Sequence, residues 1–208
     1  MVDEKRVWAD WADAWPKRRA ERGEVVDSLV LAFAREHLKG RVLDAGCGDG
    51  FYTSELAGLG FEVTGADVTG ELLARARTQH PELPFLEARL DGLPFSDAAF
   101  DSVFCLTVLE WVHDPLASLR ELRRVTKPGG ALVLGILGAG NRTRDLHIAR
   151  FYGSTPMNGL LPWELELLCQ REGLEVTASL GVTRDGPLHG GRDAMTRAML
   201  WLFALKTA

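Results

Sequence analysis

Along the chain, short apolar runs alternate with stretches whose apolar residues recur every three or four positions. Arg41–Ala45, Phe61–Ala66, Pro84–Ala88, Asp101–Leu106 and Ala131–Leu137 read as buried strands, bounded by turn-forming or charged residues. Tyr52–Leu59, Gly70–Thr78 and Pro115–Val125 lie between them with helical spacing. Asp114-Pro115 supplies an N-cap and a proline at the first helical position, and Pro128-Gly129-Gly130 ends that helix. Strand and helix in alternation predict an α/β fold with a doubly wound, mostly parallel sheet, helices on both faces, and ligands at the carboxyl ends of the strands.

Beyond Leu137 the pattern loosens. Gly138 to Pro162 is rich in Gly, Asn and Arg, a helix follows over Trp163–Glu172, and a strand over Leu174–Ser179. A polar loop from Gly181 to Asp193 leads to Ala198–Leu205, an apolar run that completes seven strands. Residues 3 to 38 are helical in pattern, and Trp8, Trp11 and Trp15 share one helical face. This predicts one domain over residues 41–208, preceded by a helical cap over residues 1–40. The tryptophan stripe either packs onto the sheet domain or covers a pocket as a lid.

Composition narrows the function class. At 208 residues, 46% hydrophobic and 25% charged, the chain suits one soluble globular domain. It has no run near the ~18 apolar residues of a membrane span, and its charged start lacks a signal peptide's apolar stretch, so a cytoplasmic protein is expected. The net charge is -5, and residues 41 to 140 hold fourteen acidic against eight basic side chains, which disfavours a nucleic-acid partner. Cys47, Cys105 and Cys169 are odd in number and widely spaced, so they read as packing groups rather than a disulfide framework or metal site.

The chemistry concentrates in Val42-Leu43-Asp44-Ala45-Gly46-Cys47-Gly48-Asp49-Gly50, a strand that breaks into a loop with glycine at alternate positions. Such a loop lets a ligand lie against the main chain, with the N–H groups of the next helix aimed at the same place. A dinucleotide fingerprint requires a third small residue where Phe51 stands, which argues against NAD or FAD.

This stretch resembles the first motif of class I S-adenosylmethionine-dependent methyltransferases, hydrophobic-hydrophobic-Asp-x-Gly-x-Gly-x-Gly. The resemblance runs from about Arg41 to Ile136 and includes Asp67 at a strand end, Leu93-Pro94-Phe95, Phe100-Asp101 and Lys127 to Gly130. It implies a Rossmann-like sheet of seven strands, the last antiparallel, and S-adenosyl-L-methionine as cofactor, leaving S-adenosyl-L-homocysteine as product. Gly46, Cys47 and Gly48 would meet the methionine portion, while Asp44 either orders the loop or bonds the amino group through water. Asp67 would bind the ribose hydroxyls, with a helix N-cap as the alternative, and Val68 would pack on the adenine. Leu106 would lie against the adenosine, with Cys105 and Thr107 beside it.

Two departures from the family pattern matter. Many relatives carry an acidic residue where Arg89 stands, and arginine cannot accept a hydrogen bond. Either Asp91 substitutes, or backbone at Arg89 and Leu90 reads the adenine edge. Trp111 replaces a frequent histidine, leaving Glu110 and His113 as the candidate bases, each equally readable as a polar residue near a helix start. Asn141, Arg142, His147, Tyr152 and Met157 are candidates for the acceptor side. The expected function is methyl transfer to oxygen, carbon or nitrogen of a small molecule, with no metal. The alternative is a non-catalytic cofactor-binding sensor or assembly subunit; a nicotinamide-dependent oxidoreductase is the third reading.

Overall fold

The computed structural model describes residues 4–14, 17, 21, 23–141, 152 and 157–208. Its centre is a sheet in the order β3-β2-β1-β4-β5-β8-β6-β7. In chain order these are β1 (Arg41–Ala45), β2 (Glu62–Asp67), β3 (Phe85–Glu87), β4 (Phe100–Leu106), β5 (Thr126–Leu137), β6 (Leu174–Val182), β7 (Pro187–Leu188) and β8 (Leu200–Thr207). Pairing is parallel from β3 through β5, and β8 is inserted antiparallel between β5 and β6.

The strand count corrects the expectation of seven. β6 continues past Ser179 to Val182, and its end pairs antiparallel with the two residues of β7. A two-residue edge strand containing a proline carries no alternating pattern, so this stretch reads as loop in the sequence. β5 likewise starts at Thr126 rather than Ala131. Thr126 pairs with Phe100 and Ala131 with Ser102, so the Lys-Pro-Gly-Gly turn is a bulge within the pairing.

The helices cover both faces. They are α1 (Glu4–Trp11), α2 (Glu24–His37), α3 (Phe51–Gly58), α4 (Gly70–Gln79), α5 (Pro115–Val125), α6 (Pro162–Arg171) and α7 (Arg192–Arg197). Alternation along β5 sends Leu132, Leu134 and Ile136 to the side of α5 and α6, where Leu119, Leu122, Leu165 and Cys169 are buried. Val133 and Leu137 face the other layer, built on Val26, Val30 and Phe33 of α2 and Leu56 of α3. The segment before β1 therefore has two parts, because α2 contributes fully buried residues to this layer while Trp8 and Trp11 of α1 are only partly buried against it. Asp114 caps α5 as its sequence predicts, with Oδ1 accepting from Ala117 N at 2.9 Å. No helix among the described residues is long and apolar enough to cross a membrane.

The strand order reverses between β1 and β4, the place where open α/β sheets leave a crevice at their carboxyl ends. Close packing shapes that crevice from below. A Cβ on Gly135 of β5 would sit 2.2 Å from Leu106 Cδ1 and 2.9 Å from Leu202 Cδ2. Gly135→Ala is expected to destabilise the protein by about 1–3 kcal/mol through overpacking. Urea unfolding checks it, and an unchanged midpoint would mean that β4 and β5 leave room there.

Candidate functional site

The loop after β1 is closed against β2, since Gly46 N and Cys47 N both donate to Ala66 O, at 2.7 and 3.0 Å. Gly46, Gly48 and Gly50 have φ of 83°, 56° and 83°, the region where a Cβ is strained. Their reasons differ. A Cβ on Gly46 would lie 2.2 Å from Val108 Cγ2, and one on Gly50 would lie 2.9 Å from Phe85 Cζ and 3.0 Å from Ala76 Cβ. These two positions serve the packing of neighbouring elements. Gly48 instead donates its N–H to Asp67 Oδ2 at 2.9 Å and stands on the wall of a cavity.

Asp67, at the end of β2, is 8% exposed, and its Oδ1 accepts from Thr69 N at 2.8 Å. Thr69 occupies the N-cap position of α4, so Asp67 is not that helix's N-cap. Burial pushes the carboxyl's pKa up, against the pull of the N–H groups of Thr69 and Gly48. Asp44, one strand over, is 2% exposed and accepts from Thr53 Oγ1 at 2.6 Å, which ties β1 to α3. Burial pushes its pKa up to about 7; the Thr53 hydrogen bond opposes this and the Asp67 charge adds to it.

The cavity opens over the carboxyl ends of β1, β2 and β4, with a volume of about 620 Å³ counting the part open to solvent. Gly46, Gly48, Asp67, Val68, Arg89, Leu90 and Leu106 are among the residues that line it. The sequence had singled out all seven. Asp44 and Cys47 are not on this wall. Asp44 turns to Thr53, and Cys47 is buried beneath the loop, with Sγ 2.9 Å from where a Cβ on Gly65 would be. Glu110 is also off the wall, fully buried with Oε1 accepting from Leu137 N at 3.0 Å at the end of β5. His113 is exposed and away from the lining.

Arg89 holds Asp91 in a two-point pair, Nε to Oδ1 at 3.0 Å and a terminal nitrogen to Oδ2 at 2.9 Å. The guanidinium thereby keeps the Asp91 carboxyl below the usual range. Arg89 and Leu90 line the cavity and Asp91 does not.

Sequence reasoning did not single out Thr69, Leu72, Val108 or Val112, which also line the cavity. Their apolar or small character carried no signal; only the distance of two to six residues from β2 and β4 ends could have marked them. Trp111 forms the far wall, where it meets Trp8 at 5.1 Å and Trp11 at 5.7 Å between ring centroids, all edge to face. Trp8 reaches the lining itself. Arg75 of α4 donates to Ala12 O at 2.8 Å and pairs with Asp13, so the N-terminal segment is held from two sides. Among the acceptor-side candidates, Met157 is buried in the core, Tyr152 is 83% exposed, and Asn141 donates to Met199 O at 2.9 Å. Trp15, Arg142 and His147 lie outside the described residues.

Residues 43–134 match the family described as "Methyltransferase domain". The chain is 30% identical over 201 residues to a biotin biosynthesis bifunctional protein BioHC of Cellvibrio japonicus, covering 88% of this chain and 38% of that protein. It is 38% identical over 124 residues to a malonyl-[acyl-carrier protein] O-methyltransferase of Erwinia pyrifoliae, covering 60% and 47%. The chain thus spans about half or less of these relatives' lengths. Among solved structures it resembles a putative methyltransferase in complex with the Trm112 activator of Haloferax volcanii, with TM-score 0.78, 22% identity, and 99% and 97% coverage. A possible histamine N-methyltransferase of Thermotoga maritima has TM-score 0.73, 17% identity, and 99% and 100% coverage. At these identities the two structures share the fold.

Asp44 gives the site a pH signature. Its folded pKa of about 7 lies above the ordinary carboxyl value, so between about pH 4 and 7 the folded state keeps a proton that the unfolded chain has lost. Stability therefore falls as pH rises through that window. Asp44→Asn keeps the acceptor for Thr53 and removes the titration. Between pH 5 and 7.5 wild type should lose roughly 2–3 kcal/mol relative to the variant. Urea unfolding of both proteins at the two pH values measures the difference, and parallel behaviour would disprove the burial argument.

Proposed function

We propose that this chain, which carries a class I S-adenosylmethionine-dependent methyltransferase domain of type 11, moves a methyl group from S-adenosyl-L-methionine to a small acceptor group. The observation that carries this reading is the Gly48–Asp67 unit set beside an apolar cavity at the point where the strand order reverses.

The residues present fit that cofactor. Backbone at Gly46 and Gly48 is bare on the cavity side and would meet the methionine portion. Asp67 accepts the N–H groups of Thr69 and Gly48 on its two oxygens, and a carboxylate at the cavity wall can also accept from a ribose hydroxyl. Val68, Leu90 and Leu106 offer apolar surface for the adenine, with Arg89 at the rim. Asp44 acts through Thr53 in fixing the loop rather than by contact. The cofactor, when bound, supplies a methyl group already activated on a positively charged sulfur. The protein's part is to hold an acceptor in line at near-attack distance and to keep water out. Trp8 and Trp111 would do the latter, with the N-terminal segment acting as a lid.

A second reading narrows the acceptor to a carboxylate carried on a thioester, the malonyl-[acyl-carrier protein] of the relatives' names. A carboxylate arrives ionised at neutral pH and asks no base of the protein. That suits a cavity whose lining includes neither Glu110 nor His113.

Calorimetry with S-adenosylhomocysteine and turnover on a panel of carboxylates, phenols and amines test the proposal. Binding without product from any acceptor would favour a cofactor sensor. Asp67→Ala should weaken S-adenosylhomocysteine binding by roughly 1–3 kcal/mol, the range for losing hydrogen bonds to a charged group. Unchanged affinity in a folded variant would remove the ribose assignment.

A further inference from the structure

We propose that Thr107 is an acceptor-positioning residue, its hydroxyl held at the cavity wall to hydrogen-bond the group being methylated; this rests on the methyltransferase reading above. Thr107 follows the last residue of β4 and has φ of 54°. A β-branched side chain rarely takes that conformation, because its Cβ crowds the neighbouring carbonyl. Strain of this kind persists only where the surroundings impose it, and it gathers at functional sites.

The surroundings here are specific. Thr107 N donates to Gly135 O at 2.7 Å, which anchors the turn to β5. The two residues flanking Thr107 each press on a glycine. Leu106 fills the space above Gly135, and Val108 fills the space above Gly46. Both glycines lack the Cβ that would collide, at 2.2 Å in each case. The turn is thus gripped from both sides, and Thr107 between its neighbours is left facing the cavity.

A glycine would take this turn without strain, so what distinguishes threonine is its side chain. The adjoining wall is Leu106, Val108, Trp111, Val112 and Trp8, all apolar apart from the indole N–H groups. Among the described residues no hydrogen bond engages the Thr107 hydroxyl. A hydroxyl both donates and accepts, so it can hold a carboxylate, hydroxyl or amine in line without removing a proton.

Thr107→Val keeps the shape and deletes the hydroxyl, Thr107→Ser restores it, and Thr107→Gly removes the strain. Malonyl-coenzyme A is the probe acceptor, with S-adenosylhomocysteine affinity and melting temperature measured alongside. The valine variant should bind S-adenosylhomocysteine within about twofold of wild type yet turn over roughly tenfold more slowly, and serine should recover most of the loss. The glycine variant should melt no lower than wild type. Wild-type turnover in the valine variant, or serine as impaired as valine, would overturn the proposal. So would a glycine variant melting roughly 2–4 °C lower, the fall expected where no strain is relieved. The melting comparison needs no turnover and decides the strain by itself. Wild type that fails to bind S-adenosylhomocysteine would defeat the methyltransferase reading instead.

Discussion

Asp67 accepts one hydrogen bond from Gly48 and one from Thr69, and the rest of the site depends on that pair. A carboxylate buried this far is costly unless its oxygens are satisfied. The chain meets the requirement with two backbone N–H groups from different loops. The same contacts stitch the glycine loop after β1 to the turn before α4, so the anion orders the walls on either side of it. Two Ala66 carbonyl bonds complete the closure. A ligand arriving there meets a loop already in place, and little ordering entropy remains to be lost.

The cavity exists because some backbone is bare and other backbone is crowded. Gly46 and Gly135 yield space to Val108 and Leu106, which brings the end of β4 down onto its neighbours and forces Thr107 into its left-handed turn. Glycines that a motif would assign to ligand contact are therefore partly devoted to protein packing. Gly48 is the one whose N–H is spent on the carboxylate at the cavity wall.

On the far side, three indoles meet edge to face, and the N-terminal segment is fastened to α4 through Arg75. Aromatic contacts of this kind contribute about 0.5–1.5 kcal/mol per pair beyond the area they bury. The ion pair between Arg75 and the exposed Asp13 adds little by comparison. The segment is held mainly by apolar contact at the cavity mouth.

The parallel strands were legible in the sequence because a strand buried on both faces needs a continuous apolar centre, and Val42-Leu43 in β1 and Val103–Leu106 in β4 supply one. The start of α5 was legible because Asp114 and Pro115 satisfy helix-end chemistry locally. The glycine spacing and the acidic strand ends likewise placed Gly46, Gly48 and Asp67 by residue type alone. Side-chain direction was not available in that way. Whether Asp44 met a ligand or Thr53, whether Glu110 faced a cavity or the β5 backbone, and whether Asp91 or Arg89 stood on the wall depended on residues distant in the chain. The two-residue β7 and the left-handed Thr107 exist only through pairing and packing with other elements. Sequence by itself determined what local chemistry and periodicity can specify; tertiary structure decided which atoms face the cavity, because that is set by contacts no short stretch of chain contains.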